Sequence, residues 1–176
     1  VGGAYQIPTV ALRYFNVYGP RQALSNPYTG LLAIVASRVL NKKPPIIFED
    51  GNQTRDFVNV QDIARANLLA LRWQGEGQVV VNIGTGRALS VNEAVQGVIR
   101  GLNGEVEPKI TGRFRVGDIR HCYADTRRAK EILGFEAEVK FEDGVQEFLD
   151  WAREQEGVLD LADRCLRELE ERGLVK

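Results

Sequence analysis

The chain has 176 residues, of which 44% are hydrophobic and 27% charged, and its formal net charge is −1. This composition is typical of a folded globular protein and excludes the disordered and fibrous classes. Arginines are scattered and balanced by acids, which argues against a nucleic-acid-binding surface. No apolar run approaches the ~20 residues that span a bilayer, and no signal peptide is visible, so we expect a cytoplasmic protein without membrane contact.

Cysteine content and the first residue add two expectations. Cys122 and Cys165 lie far apart, without a histidine or another cysteine at metal-ligand spacing, so we expect reduced thiols and no metal site. The chain begins with Val1, contains no methionine, and opens with residues typical of the end of a helix. We therefore expect it to be part of a longer parent chain.

Strands and helices are predicted to alternate from the start. Residues 9–15 form an apolar run that opens on β-branched residues, which predicts a strand buried on both faces and ended by Gly19. From Thr29, apolar residues recur at helical spacing as far as Leu40, so a helix is expected there.

The middle of the chain continues this alternation. A strand, a turn and a second strand are predicted over 46–58. Asp62 is placed to cap the next helix, because its carboxylate can accept amide hydrogens of the first turn. Residues 79–83 are the strongest buried-strand run, and Ser90 with Glu93 forms a capping box that opens a further helix.

The last third is predicted to be mostly helical. A helix over 126–133 is closed by Gly134, and another covers 141–153. From Leu159, a surface helix with one apolar stripe is expected. The overall pattern indicates an α/β fold.

The segment Gly84-Thr85-Gly86 lies between a predicted strand and a predicted helix, where dinucleotide-binding proteins carry a glycine fingerprint. The third glycine of that fingerprint is replaced by Leu89, and the helix starts late, so its N-terminus would not lie behind a pyrophosphate. The pattern favours a simple turn from strand to helix.

Four polar residues are candidates for ligand binding. Asn16 and Tyr18 follow a predicted buried strand, where open α/β sheets bind ligands, but they suit a turn equally well. Arg55 and Arg115 could each present a planar guanidinium to a diphosphate. Spacing alone favours ordinary surface arginines, so the residues by themselves leave both questions open.

Catalysis by a histidine or by paired carboxylates finds little support. His121 is the sole histidine, and a solvated or capping role is favoured over catalysis. The spacing of Asp118 and Asp125 is typical of turns and does not establish a carboxylate pair.

Five segments then occur in a characteristic order: LRYFNVYGPR over 12–21, FEDGNQTRDFVNVQD over 48–62, NIGTG over 82–86, RVGD over 115–118, and ADT over 124–126. Together they resemble the second half of the NAD-dependent epimerase/dehydratase family, close to its UDP-glucose 4-epimerases and dTDP-sugar epimerases. Each segment alone is weak evidence, but five in the family's order are specific. They cover about residues 9–150 and leave the tail unassigned.

The resemblance implies a fold and a domain organisation. The chain would be the C-terminal portion of an extended Rossmann-type dehydrogenase, with edge strands of the nucleotide-binding sheet and a small mixed α/β substrate-binding lobe. Residues 1–24 would be the end strand of a truncated dinucleotide-binding core. Residues 25–155 would bind the nucleotide sugar, with 54–84 packing back on the core, and 156–176 would form a helical tail.

The resemblance also implies residue roles. Asn16 would hold the phosphate region of the sugar nucleotide beside the nicotinamide, with Tyr14 and Phe15 as nicotinamide neighbours. Ile47 and Phe48 would line the base site. Arg55 and Arg115 would bind the diphosphate, and Asp118 would bind the ribose. Cys122 would lie next to C2 of the sugar. A side chain as small as that of Cys122 would admit a 2-acetamido sugar.

The family's glycine-rich phosphate loop and Tyr-x-x-x-Lys pair have no counterpart in these 176 residues, since Tyr5 is followed four residues later by Thr9, and Tyr14 by Tyr18. Hydride removal and return need a tyrosine made acidic by a lysine and the nicotinamide. We therefore expect no catalytic residue in this chain and no bound NAD, although the full-length family uses NAD.

The expected function is thus the substrate-binding half of a nucleotide-sugar 4-epimerase, with a UDP- or dTDP-sugar as its ligand. Two alternatives stay open: a stand-alone binding or self-assembling module without catalysis, and a fragment of a dTDP-glucose 4,6-dehydratase. Because the sheet would lack its central strands and expose apolar surface, we also expect a homo-oligomer.

Overall fold

The computed structural model describes residues 2–26 and 30–176. Thr29, where the sequence predicted the start of a helix, and Val1 lie outside these residues. The helices are α1 (Gly2–Tyr5), α2 (Leu31–Leu40), α3 (Val60–Leu71), α4 (Val91–Gly101), α5 (Arg127–Leu133), α6 (Phe141–Arg153) and α7 (Ala162–Glu171). The strands are β1 (Thr9–Tyr14), β2 (Asn16–Tyr18), β3 (Ile46–Ile47), β4 (Thr54–Arg55), β5 (Phe57–Asn59), β6 (Gln78–Ile83), β7 (Leu89–Ser90), β8 (Lys109–Ile110) and β9 (His121–Cys122).

Parallel pairing dominates the small sheets. β1 runs parallel to β6, with Thr9 opposite Gln78 and Tyr14 opposite Ile83. After Phe15 the chain changes partner, and β2 runs parallel to β5. β3 pairs in parallel with β8, while β4 lies between β7 and β9. The predicted α/β class is confirmed.

Two apolar clusters stabilise these elements. The larger one joins α2, α4 and α6 to β2 and β5, and its side chains include Leu32, Val95 and Phe148. The smaller one lies between the β1–β6 pair and helices α3 and α5, around Phe135. The candidate site lies along the larger cluster, where α2, β3 and β4 meet.

β1 differs from the strand that the sequence predicts. Residues 9–15 were expected to be buried on both faces, but this expectation is wrong for the described part of the chain. Leu12 packs against the smaller cluster, whereas Ala11 and Arg13 on the opposite face are exposed, and Val80 of β6 is 41% exposed. Helices cover one face of the pair, and no described strand pairs with the second edge of β1.

Two of the three predicted helix caps are present in the structure. The Ser90–Glu93 capping box is confirmed, because the Ser90 hydroxyl accepts from the Glu93 amide and the Glu93 carboxylate accepts from the Ser90 amide. Gly134 closes α5 in the left-handed conformation, as predicted. The cap assigned to Asp62 is wrong, since Asn59 caps α3 by accepting from the amide of Gln61 at 2.8 Å.

Asp62 has a different structural role. Its side chain is buried and accepts hydrogen bonds from the amides of Glu138 and Val139, at 3.0 and 3.1 Å. The carboxylate therefore ties the first turn of α3 to a segment that lies 76 residues further along the chain.

No described helix is long and apolar enough to cross a membrane.

Candidate functional site

A cleft of about 360 Å³ lies between α2, β3, β4, the loop at 115–118 and α7. Its lining includes six of the residues that the resemblance assigned to substrate binding, namely Asn16, Ile47, Phe48, Arg55, Arg115 and Asp118. These residues come from positions 16 to 118, so the fold gathers side chains that are far apart in sequence.

Arg55 is half-buried at the cleft wall, with its guanidinium held on two sides. Nη1 donates to the backbone oxygens of Thr54 and Arg120, at 2.8 and 3.1 Å, and Nη2 donates to Asp118 Oδ1 at 3.0 Å. Three contacts on a planar group leave it little rotational freedom. Arg55 thus presents a fixed positive charge to the cleft.

Arg115 completes a charged triangle with Asp118. Its Nη2 donates to Asp118 Oδ2 at 2.8 Å, and its Cζ lies 5.4 Å from the centre of the Phe48 ring, within cation–π range. Asp118 therefore bridges two guanidinium groups with one carboxylate. The triangle keeps one uncompensated positive charge, and its planar donors suit an anionic ligand with several oxygens.

Asn16 occupies the point where the chain changes strand partner. The amide of Phe15 donates to Ile83 O at 3.1 Å, and the next amide, that of Asn16, donates to Asp56 O at 2.9 Å. Crevices for ligands form where neighbouring connections diverge at the carboxyl end of parallel strands. Asn16 lines the cleft and also a shallower depression that contains Tyr14, Phe15 and Cys122.

The described residues that line the cleft therefore do not include Cys122, Tyr14 or Phe15. These three residues meet the cleft at Asn16, and the Tyr14 hydroxyl donates to Asn67 Oδ1 at 2.9 Å. A ligand longer than the cleft would pass Asn16 and reach Cys122. The roles that the resemblance assigned to these three residues stay predictions.

Tyr18 is a core residue. It is 2% exposed, its hydroxyl lies 3.5 Å from Phe141 O, and burial raises the pKa of the phenol well above its ordinary value. Adding a side chain at Gly144 would place a carbon 2.5 Å from the Tyr18 hydroxyl oxygen, so the packing there is tight. Tyr18 ends strand β2 inside the larger cluster, so the structure supports neither the ligand-binding nor the turn alternative for this residue.

Sequence reasoning missed Asp56, which is fully buried beside the site. Its carboxylate accepts from the Thr85 amide at 2.8 Å, the Thr85 hydroxyl at 2.7 Å, the Gly86 amide at 2.9 Å and the Ala124 amide at 3.1 Å. The signal available in sequence was an acid directly before the apolar pair Phe57 and Val58.

The same contacts explain Gly84-Thr85-Gly86. A Cβ at Gly84 would lie 2.6 Å from Asp56 Oδ2, and two amides of the turn already serve this carboxylate. The interpretation as a strand-to-helix turn is therefore supported, because these amides are not available to a pyrophosphate.

His121 and Asp125 lie outside the cleft lining. The exposed His121 ring has Nδ1 3.0 Å from Thr54 Oγ1. Asp125 pairs with Arg127 at 2.6 Å, and hydrogen bonds from Arg127 lower the pKa of this carboxyl to about 2. Neither residue forms a catalytic arrangement with the cleft.

Comparison with known proteins gives consistent relatives. A profile of the NAD dependent epimerase/dehydratase family matches residues 1–84. The putative UDP-glucose 4-epimerase of Methanocaldococcus jannaschii is 41% identical over 152 residues, which are 85% of this chain and 47% of that protein. The dTDP-L-rhamnose 4-epimerase of Burkholderia thailandensis is 36% identical, over 86% of this chain and 42% of that protein.

A solved structure agrees with these relatives. The crystal structure of UDP-glucose 4-epimerase with UDP-glucose, from Thermotoga maritima, superposes with a TM-score of 0.74 at 40% identity. It covers 82% of this chain and 45% of the other. The chain thus spans about half the length of the relatives it matches.

Proposed function

The chain belongs to the NAD-dependent epimerase/dehydratase family, with the α/β fold of a Rossmann-type epimerase, and we propose that its cleft binds the nucleoside diphosphate of a UDP- or dTDP-sugar. It would act as the substrate-binding half of a nucleotide-sugar 4-epimerase. The observation that carries the proposal is the Arg55–Asp118–Arg115 triangle, which presents the guanidinium groups of two arginines to one anionic group.

Each part of the ligand has a proposed place. The diphosphate lies between Arg55 and Arg115, where bidentate hydrogen bonds match its oxygens. Asp118 accepts a hydrogen bond from a ribose hydroxyl, and the base lies along Ile47 and Phe48. The sugar extends past Asn16 and towards Cys122, whose small side chain leaves room for a 2-acetamido group.

The nicotinamide cofactor has no complete site among these residues. The glycine turn at 84–86 gives two of its amides to Asp56, so it does not fit a dinucleotide phosphate. We propose that Tyr14 and Phe15 border a nicotinamide held by the part of the family fold that this chain does not span. The chain's own residues therefore bind and orient the sugar nucleotide.

Calorimetry without NAD tests the proposal directly. We expect UDP or dTDP to bind the unchanged chain, and Arg55→Ala to weaken binding about 10- to 100-fold, because charge-assisted hydrogen bonds contribute roughly 1.5–3 kcal/mol. Arg100→Ala is the matched control, since it removes the same charge from an exposed position of α4.

The outcomes separate the candidate functions. Loss of affinity in Arg55→Ala but not in Arg100→Ala supports a surviving substrate site. If the folded unchanged chain binds neither nucleotide, the proposal is wrong, and a self-assembling module without ligand binding is favoured.

We also propose that the chain self-associates through the open side of the β1–β6 pair. Parallel sheets are normally covered on both faces, whereas Val80 is 41% exposed here and its partner Ala11, on the same face, is exposed as well. Light scattering should detect a dimer or larger species that dissociates on dilution. A monomer at high concentration, with no binding of an apolar dye, would contradict this proposal.

A further inference from the structure

Helix α7 carries an apolar stripe that belongs to neither core cluster. Cys165, Leu166 and Leu169 lie on this stripe, and all three line the candidate cleft. Cys165 is only 7% exposed. The sequence predicted a surface helix with one apolar stripe, and in the structure this stripe lines the candidate cleft.

The segment before α7 is anchored by buried charges. Arg38 of α2 is 5% exposed and pairs with Asp160 and Asp163, at 3.4 and 2.7 Å. Lys43 contacts both acids from the solvent side, at 3.0 and 3.3 Å. These contacts hold the first turn of α7 against the end of α2.

The residues after α7 are anchored by backbone pairing to the loop that carries Arg115. The Phe114 amide donates to Lys176 O at 2.9 Å, the Lys176 amide returns a bond to Phe114 O at 3.0 Å, and the Val116 amide donates to Leu174 O at 2.9 Å. Arg115 therefore lies between two residues that are bonded to the tail.

We propose that residues 157–176 form a strap that closes the nucleotide cleft, with α7 as the apolar wall of the base subsite. The flat base would lie between Ile47 and Phe48 on one side and Leu166 and Leu169 on the other. The pairing at 174–176 would position Arg115 for the diphosphate. This inference rests on the proposed nucleotide binding and adds the residues that recognise the base.

Pyrophosphate is the ligand that separates the two parts of this site, because it has the charge of the diphosphate and no base. Replacing Leu166 and Leu169 by alanine removes apolar contact area from the base side only. We expect the double variant to bind UDP about tenfold more weakly and pyrophosphate with unchanged affinity. Leu68→Ala with Leu71→Ala, on the exposed side of α3, is the matched control.

Thiol labelling of the unchanged chain gives a second readout that needs no substitution. UDP should slow the labelling of Cys165, located by peptide mass spectrometry, and pyrophosphate should slow it much less. Equal UDP affinity in the double variant and the unchanged chain would overturn the strap proposal alone. An equal loss for UDP and pyrophosphate, or no effect of UDP on Cys165 labelling, would overturn it too. Failure of the unchanged chain to bind UDP would overturn the proposed function and the strap with it.

Discussion

Asp56→Asn is expected to lower the free energy of unfolding by about 3 kcal/mol. The reason is that a hydrogen bond to a charged group, here the buried Asp56 carboxylate, contributes roughly 1.5–3 kcal/mol to stability. Four donors converge on Asp56, from Thr85, Gly86 and Ala124. An asparagine keeps one acceptor oxygen and turns an NH₂ group towards amide hydrogens that need an acceptor.

Urea unfolding followed by circular dichroism measures this change. Glu107→Gln is the control, because it makes the same chemical replacement at an exposed loop position and should change stability by less than about 0.5 kcal/mol. Equal midpoints for Asp56→Asn and the unchanged chain would show that the four contacts contribute no net stability.

Arg38→Met is the second substitution with a large expected effect. The side chain of Asp160 is 3% exposed, and removal of Arg38 leaves it with Lys43 as its remaining cation. Breaking a buried pair by removing one partner costs roughly 3–5 kcal/mol, so we expect a loss of about 3 kcal/mol. Lys43→Met removes the same charge from a side chain that is 45% exposed and should cost clearly less.

The pH dependence of this cluster has a defined sign. A hydrogen bond from Arg38 lowers the pKa of the Asp163 carboxyl below its ordinary value of 3.8. A carboxyl whose pKa is lowered on folding stabilises the folded state above its unfolded pKa and loses that contribution as the pH falls through the folded pKa. The stability difference between the unchanged chain and Arg38→Met should therefore shrink in acid below about pH 4. A difference that is constant from neutral pH into strong acid would contradict the assignment.

Local chemistry was predictable from the sequence, and distant chemistry was not. The Ser90–Glu93 box and the Gly134 cap depend on residues a few positions apart, so their patterns were sufficient. Asp62 is of a residue type that often caps helices, but the amides that donate to it belong to residues 138 and 139. A pattern of neighbouring residues does not predict contacts that distant. Asp56 was missed for the same reason, because its donors come from two segments later in the chain.

The candidate site shows the same limit. Spacing alone favoured Arg55 and Arg115 as ordinary surface residues, and only the family resemblance brought them together. In the structure they share Asp118, which is a three-body contact that spans more than sixty residues. The stripe on α7 was predicted correctly as a pattern, but its partner was not, since an amphipathic pattern does not say what the helix covers.

Backbone amides of β1 alternate in what they meet. The Thr9 amide donates to Gly77 O and the Phe15 amide to Ile83 O, so every second amide between them points towards β6. The amides of Val10, Leu12 and Tyr14 point to the other edge, where the described part of the chain has no strand. Hydrogen exchange along β1 should therefore alternate, with slow exchange at the amides that bond to β6 and fast exchange at those of Val10, Leu12 and Tyr14. Protection that appears at those three positions would report a newly added strand, whichever polypeptide supplies it.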